Sequence, residues 1–208
     1  RVSETQSRQT LESAWSAGIR YYDTAPWYGH GLSEHRIGGL LRQQDPKEFL
    51  CSTKVGRVYS RYRGQAKDFN GSPWAGGLPF TLKFDYTYDG ILRSYEDSLL
   101  RFGLNQIDVL VIHDLDLGYH RTEKRMNEYF KELESGWKAL DELKRSGEIK
   151  AFGAGINDES MMPRFLEECP LDFFLVAMPY TLLDQDVLDN IFPKCENLGV
   201  GVVVGAPY

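Results

Sequence analysis

Six short apolar runs, each continuous rather than alternating, are separated by longer stretches of helical periodicity, and this alternation restricts the chain to an α/β fold. The runs cover residues 20–23, 49–54, 107–113, 151–157, 173–178 and 200–205. Continuous apolarity is what strands read like when both faces are covered, as in a parallel sheet. Between the runs, Leu11, Ala14, Trp15 and Gly18 share a helical face, and Ser33 is expected to cap a helix carrying Ile37, Leu40 and Leu41. Ile91, Leu92, Tyr95, Leu99 and Phe102 make the next stripe, ended by Gly103. Trp137, Leu140, Leu143 and Lys144 follow, ended by Gly147; residues 161–169 and 187–198 complete the helices, the latter closed by Gly199.

One connection is out of scale with the rest. Residues 55–88 are rich in glycine, arginine and aromatics, among them Arg57, Tyr59, Tyr62, Trp74 and Phe80. Loops above about 15 residues in compact domains are functional or disordered, and the aromatics argue against disorder. A loop folded over a pocket is expected.

Composition narrows the partners. The 208 residues suffice for one core, so a single domain over 1–208 is the default. Lys plus Arg number 24 against 30 for Asp plus Glu, a formal charge of -6 without the basic stripe that nucleic acid demands. No apolar run approaches the roughly 18 residues of a membrane span, and residues 1–5 lack the apolar stretch of a secretion signal. Cys51, Cys169 and Cys195 are odd in number and scattered, which fits free thiols in a reducing cytoplasm. His30 and His35 fall on different faces of any helix with no further ligand at metal spacing, so no metal is expected.

Four successive runs end in a polar residue: Asp23, Lys54, His113 and Asn157. A lone polar group at a strand end is usually only a hydrogen-bonded surface residue. Four at the same end match a β/α barrel, whose chemistry sits at the C-terminal ends of several strands. A doubly wound sheet would concentrate its site at one switch point behind a G-x-G-x-x-G turn, which is missing here. The Gly153-Ala154-Gly155 stretch reads instead as close backbone packing.

The residue types suit hydride transfer to or from a carbonyl carbon, which needs a proton donor for the developing alkoxide. Tyr28 follows Asp23 on the loop leaving the first strand. A tyrosine of ordinary pKa near 10 needs a neighbouring cation to act at neutral pH. An ammonium at about 4 Å contributes up to about 4 kcal/mol at an effective dielectric of 20. Lys54 is the candidate, with Asp23 holding it in place and His113 hydrogen-bonding the substrate oxygen.

At these residues the chain resembles the aldo-keto reductases. Asp23-Thr24-Ala25-Pro26-Trp27-Tyr28-Gly29 with Ser33-Glu34 is similar to the family's second-strand signature, Thr53-Lys54-Val55-Gly56 to its third-strand lysine motif, and residues 109–114 to its histidine strand. The resemblance implies a parallel (β/α)8 TIM barrel, NAD or NADP as cofactor, and Asp23, Tyr28, Lys54 and His113 as the catalytic tetrad. Lys54-Val55-Gly56-Arg57, residues 84–90, residues 179–185 and, more weakly, residues 205–208 resemble the branch with D-threo-aldose (L-fucose) 1-dehydrogenases, L-galactose dehydrogenases and pyridoxal 4-dehydrogenases. That implies a small-molecule sugar or aldehyde substrate. Trp27, Tyr28, His113, Arg57 and Trp74 are its candidate contacts, and Tyr59, Tyr62 and Arg63 could assist; the same aromatics could equally pack the loop.

Set against the family, the chain shows six of eight strands, so the barrel is expected to be partial, without its first strand and without its last strand and helices. Asn157 stands where many relatives bind the nicotinamide carboxamide with Ser-Asn, so Asp23 and Asn157 are the candidate cofactor contacts. Ala177 and Gly205 replace a glutamine and a stacking tyrosine. Two other functions remain open: a non-catalytic, cofactor-binding regulatory subunit, and a metal-assisted hydrolase on the same barrel, which lacks ligand clusters here.

Overall fold

The computed structural model describes residues 2–207; Arg1 and Tyr208 lie outside the described residues. The chain runs α1 (Glu4–Ser16), β1 (Tyr21–Asp23), α2 (Leu32–Leu41), β2 (Leu50–Val55), β3 (Arg57–Arg61), β4 (Phe80–Phe84) and α3 (Tyr88–Phe102). It continues through β5 (Val109–Ile112), α4 (Leu117–His120), α5 (Glu123–Arg145), β6 (Ala151–Ile156) and α6 (Met162–Glu168). The last elements are β7 (Phe173–Ala177), α7 (Val187–Asn190), α8 (Phe192–Leu198) and β8 (Gly201–Gly205).

Strands β1, β2, β5, β6, β7 and β8 pair in that order, and every pairing is parallel. With β3 and β4 set aside, each strand lies beside its neighbour in sequence, so the strand order never reverses. Sequential winding is the topology of a barrel and not of a doubly wound sheet. The sheet curls into part of a parallel β/α barrel. Register aligns Lys54 with Val111, and Val111 with Gly153, which brings the C-terminal ends of β2, β5 and β6 level.

The core forms where the helices cover the sheet. Met126, Phe130, Leu133, Trp137 and Leu140 of α5 pack with Ile91 and Phe102 of α3 and with Phe152 and Phe174 of the strands. The expected close packing at the glycines holds at Gly153, where a Cβ would stand 2.3 Å from the Phe173 carbonyl oxygen. Among the described residues no helix is long and apolar enough to cross a membrane.

Several local expectations are corrected. Ser33 does not cap α2: the cap is Gly31 at φ +94, and the Ser33 Oγ accepts from the Thr24 hydroxyl at 2.7 Å. Gly18 lies past the end of α1 in a left-handed turn at φ +93. The 187–198 stretch is two short helices, because Pro193 fits a first helical turn and starts α8 afresh. The largest correction is the long connection. It holds an antiparallel ribbon pairing Arg57 with Phe84 and Arg61 with Phe80, and residues 62–79 link its two strands. A link of that length leaves no tight-turn signature in the sequence.

Candidate active site

The ends of β1 and β2 are adjacent, and they join a lysine to an aspartate. The Lys54 ammonium lies 2.7 Å from Asp23 Oδ2 and donates to the Thr24 carbonyl at 2.8 Å. Asp23 Oδ1 accepts from the Ser52 hydroxyl at 2.6 Å. Exposure is unequal: the Lys54 side chain is 3% exposed and that of Asp23 28%. The lysine is the desolvated member and depends on its partner. Its ammonium also lies over the Tyr28 ring, 4.9 Å from the centre.

His113 directly follows β5. Its backbone N–H donates to the Val55 carbonyl at 3.1 Å, and its carbonyl accepts from the Tyr86 hydroxyl at 2.7 Å. The ring stands edge-on to Trp27 and Tyr28, with centres 6.3 and 5.8 Å apart. Burial, together with the charges of Lys54 and Arg57, holds its pKa well below the usual histidine value, so the imidazole is neutral. Nε2 lies 3.3 Å from Asp114 Oδ2, whereas Nδ1 is buried with no hydrogen-bond partner among the described residues. The neighbouring carboxylate favours the tautomer with the ring proton on Nε2, and among the described residues that N–H makes no hydrogen bond to Asp114, which leaves it for another acceptor.

These groups open on a cleft of about 210 Å³, lined by Trp27, Tyr28, Lys54, Trp74, His113 and Asp114, with Tyr119, Asn157, Leu175 and Ala177 completing its wall. Trp74 comes from the 62–79 link and stands edge-on to Trp27 at 5.4 Å. A larger groove, about 430 Å³, lies between α1 and α2 and contains none of the strand-end residues. It is remote from the chemistry.

The other residues expected over the pocket lie elsewhere. Arg57 is buried, ion-paired with Asp114 and clamped between the rings of Trp27 and Phe84 at 4.4 and 4.3 Å. Tyr59 donates to the Pro26 carbonyl at 2.5 Å beneath the Arg101 guanidinium, and Tyr62 packs on Phe69. Arg63 lines a separate surface groove with Ser60 and Arg61. Of the expected wall, Trp27 and Trp74 reach the cleft.

The sequence reading passed over Asp114 and Asp116. Asn157 Nδ2 donates to Asp114 Oδ1 at 3.1 Å and to Asp116 Oδ2 at 3.2 Å. The two carboxylates orient the amide and leave the Asn157 carbonyl oxygen as an acceptor. That oxygen suits the N–H₂ of a nicotinamide carboxamide, and Leu175 and Ala177 offer apolar contact for its ring. The residues present therefore fit the nicotinamide end of NAD or NADP. Among the described residues no three His, Cys, Asp or Glu side chains gather into a metal-binding group.

Two buried histidines set an acid limit. His120, packed against Phe84 and Tyr129 with Nε2 3.3 Å from the Tyr86 hydroxyl, is lowered by burial to about 4. Both histidines bind protons more weakly folded than unfolded. Their contribution is therefore complete above the unfolded value near 6.5 and is lost as pH falls toward the folded values. Urea unfolding should show stability falling between pH 6.5 and 4.5 by up to about 1.4 kcal/mol per pH unit for each histidine. His120→Gln should remove its share of that slope, and an unchanged slope in the variant would contradict the assignment.

A parallel β/α barrel with polar groups gathered at its strand C-termini defines the class. Within it the chain belongs to the aldo/keto reductase family, whose model matches residues 1–207. It is 37% identical to a pyridoxal 4-dehydrogenase of Microbacterium luteolum, covering 100% of this chain and 62% of that protein. It is 35% identical to a D-threo-aldose 1-dehydrogenase of a Pseudomonas species, covering 100% and 61%. These are members of the branch the sequence motifs resemble, and the chain spans about three-fifths of their length. An aldo-keto reductase of Bacillus halodurans in its holo form superposes with a TM-score of 0.72 at 24% identity, covering 98% of this chain and 58% of that one. That likeness bears on the fold.

Proposed function

We propose that the protein is an NAD(P)-dependent oxidoreductase that moves a hydride between the nicotinamide and the anomeric carbon of an aldose. The observation that carries this reading is the convergence of Tyr28, Lys54 and His113 on one cleft, with Asp23 ion-paired to Lys54. NAD or NADP, when bound, supplies or takes the hydride. Asn157 holds the carboxamide through its carbonyl oxygen. Tyr28 takes the proton of the anomeric hydroxyl in oxidation and returns it in reduction. The Lys54 ammonium stabilises charge on the tyrosine while the proton is away, and Asp23 fixes the ammonium. Neutral His113 donates its Nε2–H to the substrate oxygen and orients it.

Trp27 and Trp74 form flat apolar walls suited to a small ring. The buried free cysteines fit a cytoplasmic setting, and the acidic charge fits a small-molecule substrate rather than nucleic acid. The same walls also suit the aromatic ring of pyridoxal, the substrate in the name of the 37% identical relative, and this makes pyridoxal or aldehyde chemistry the second reading.

The test compares kcat/KM, with each cofactor, for fucose, galactose and arabinose against pyridoxal and a simple aromatic aldehyde. Aldose oxidation is expected to dominate. Turnover of the aldehydes alone would replace the substrate, and cofactor binding without any turnover would mark a regulatory subunit.

A further inference from the structure

The cleft wall carries a carboxylate that the proposed chemistry uses only to orient its neighbours. Asp114 is 3% exposed and adopts a left-handed backbone, φ +53, immediately after His113. That conformation is costly for a residue with a Cβ, though aspartate tolerates it better than most. Its carboxylate is held on both oxygens: Arg57 Nη2 donates to Oδ2, and Asn157 Nδ2 donates to Oδ1. Two donors do not saturate the roughly four lone-pair sites of a carboxylate. The group lines the cleft beside Lys54 and His113 with accepting capacity to spare.

Its position relative to His113 gives that capacity a use. Asp114 Oδ2 lies 3.3 Å from His113 Nε2, the nitrogen against which the reacting oxygen rests in the proposed reaction. A substrate oxygen within about 3 Å of Nε2 lies at most about 6 Å from that carboxylate oxygen, so a group on the adjacent carbon can reach it. A substrate with only carbonyl lone pairs meets repulsion there. A substrate with a hydroxyl on the adjacent carbon brings a donor to the same place, and a hydrogen bond to an ionised acceptor is among the stronger ones.

Building on the oxidoreductase reading above, we infer that Asp114 is a specificity-determining residue that accepts a hydrogen bond from the hydroxyl next to the reacting carbon. The site thereby selects aldoses and other α-hydroxylated substrates over those that lack this hydroxyl. Arg57 and Asn157 are the positioning residues: the guanidinium, clamped between Trp27 and Phe84, holds one carboxylate oxygen and the amide the other. The buried ion pair thus has a purpose besides packing, which apolar side chains serve as well.

The experiment compares kcat/KM for L-fucose and 2-deoxy-L-fucose in the same protein preparations. The wild type should prefer L-fucose by about 30-fold or more, as expected when a site built to bond a hydroxyl meets an analogue without it. Asp114→Asn keeps a neutral acceptor and should cut that preference about tenfold, whatever its effect on the turnover common to both sugars. Taking the ratio within each preparation cancels any loss of folded protein. The double variant Arg57→Met with Asp114→Leu removes both charges and should abolish the preference. A wild type that treats the two sugars alike, or an Asp114→Asn variant that loses activity on both equally, would overturn the proposal. If neither sugar is turned over, the aldose reading fails on its own. Quenching of intrinsic tryptophan fluorescence by the two sugars then decides Asp114 separately: a Kd ratio that collapses in Asp114→Asn supports it, and equal or absent binding of both overturns it.

Discussion

Replacing Tyr28 with phenylalanine should lower kcat by about 10³-fold, the usual scale of a lost general acid–base group, while leaving substrate and cofactor binding nearly unchanged. The substitution deletes one oxygen and keeps the ring. The ring makes the contacts the fold uses: it underlies the Lys54 ammonium, lies 5.1 Å from Trp74 and stands edge-on to His113. Among the described residues the Tyr28 hydroxyl makes no hydrogen bond, so removing it strands no partner. Thermal stability should stay within about 0.5 kcal/mol of wild type. Single-turnover rates, with cofactor affinity measured by fluorescence titration, separate the proton step from binding. Near-normal turnover in Tyr28→Phe would dismiss the tyrosine from the chemistry, and a large loss of affinity would make it a wall of the pocket.

The site was legible where it hangs on strand periodicity. Asp23, Lys54 and His113 each end a short apolar run, and parallel strands in sequential order must bring such ends to one rim. Arg57 falls within the expected loop, whereas in the structure it opens β3 and pairs with Asp114, 57 positions away. No local pattern announces a partner at that distance. The ribbon was hidden for a related reason: its register is set across residues 62–79 and not by a turn. The front half of α5 was different. Met126, Phe130 and Leu133 continue the Trp137 and Leu140 stripe at helical spacing, so that helix could have been traced back toward its cap at Thr122. Asp114 and Asp116 were also in plain sight after the histidine strand. Carboxylates at the end of an apolar run read as surface residues until Arg57 and Asn157 are seen to bury them.

The Lys54–Asp23 pair leads to the second large effect, because its two halves should fail differently. Lys54→Met removes the buried charge and leaves Asp23 28% exposed, still accepting from Ser52. An apolar chain in place of a buried ammonium is close to neutral for folding, within about 1 kcal/mol. Activity should nonetheless collapse. At 4.9 Å from the Tyr28 ring centre, a unit charge contributes about 3 kcal/mol at an effective dielectric near 20, or about 100-fold in rate. Asp23→Ala does the reverse to the fold: it leaves a 3% exposed ammonium with the Thr24 carbonyl as its remaining partner among the described residues. An uncompensated buried charge costs about 3–5 kcal/mol, so this variant should lose both stability and activity. Urea unfolding and turnover measured on both proteins test the division. Equal destabilisation would show a pair that serves the fold alone, whereas a stable, inactive Lys54→Met protein places the ammonium in the chemistry.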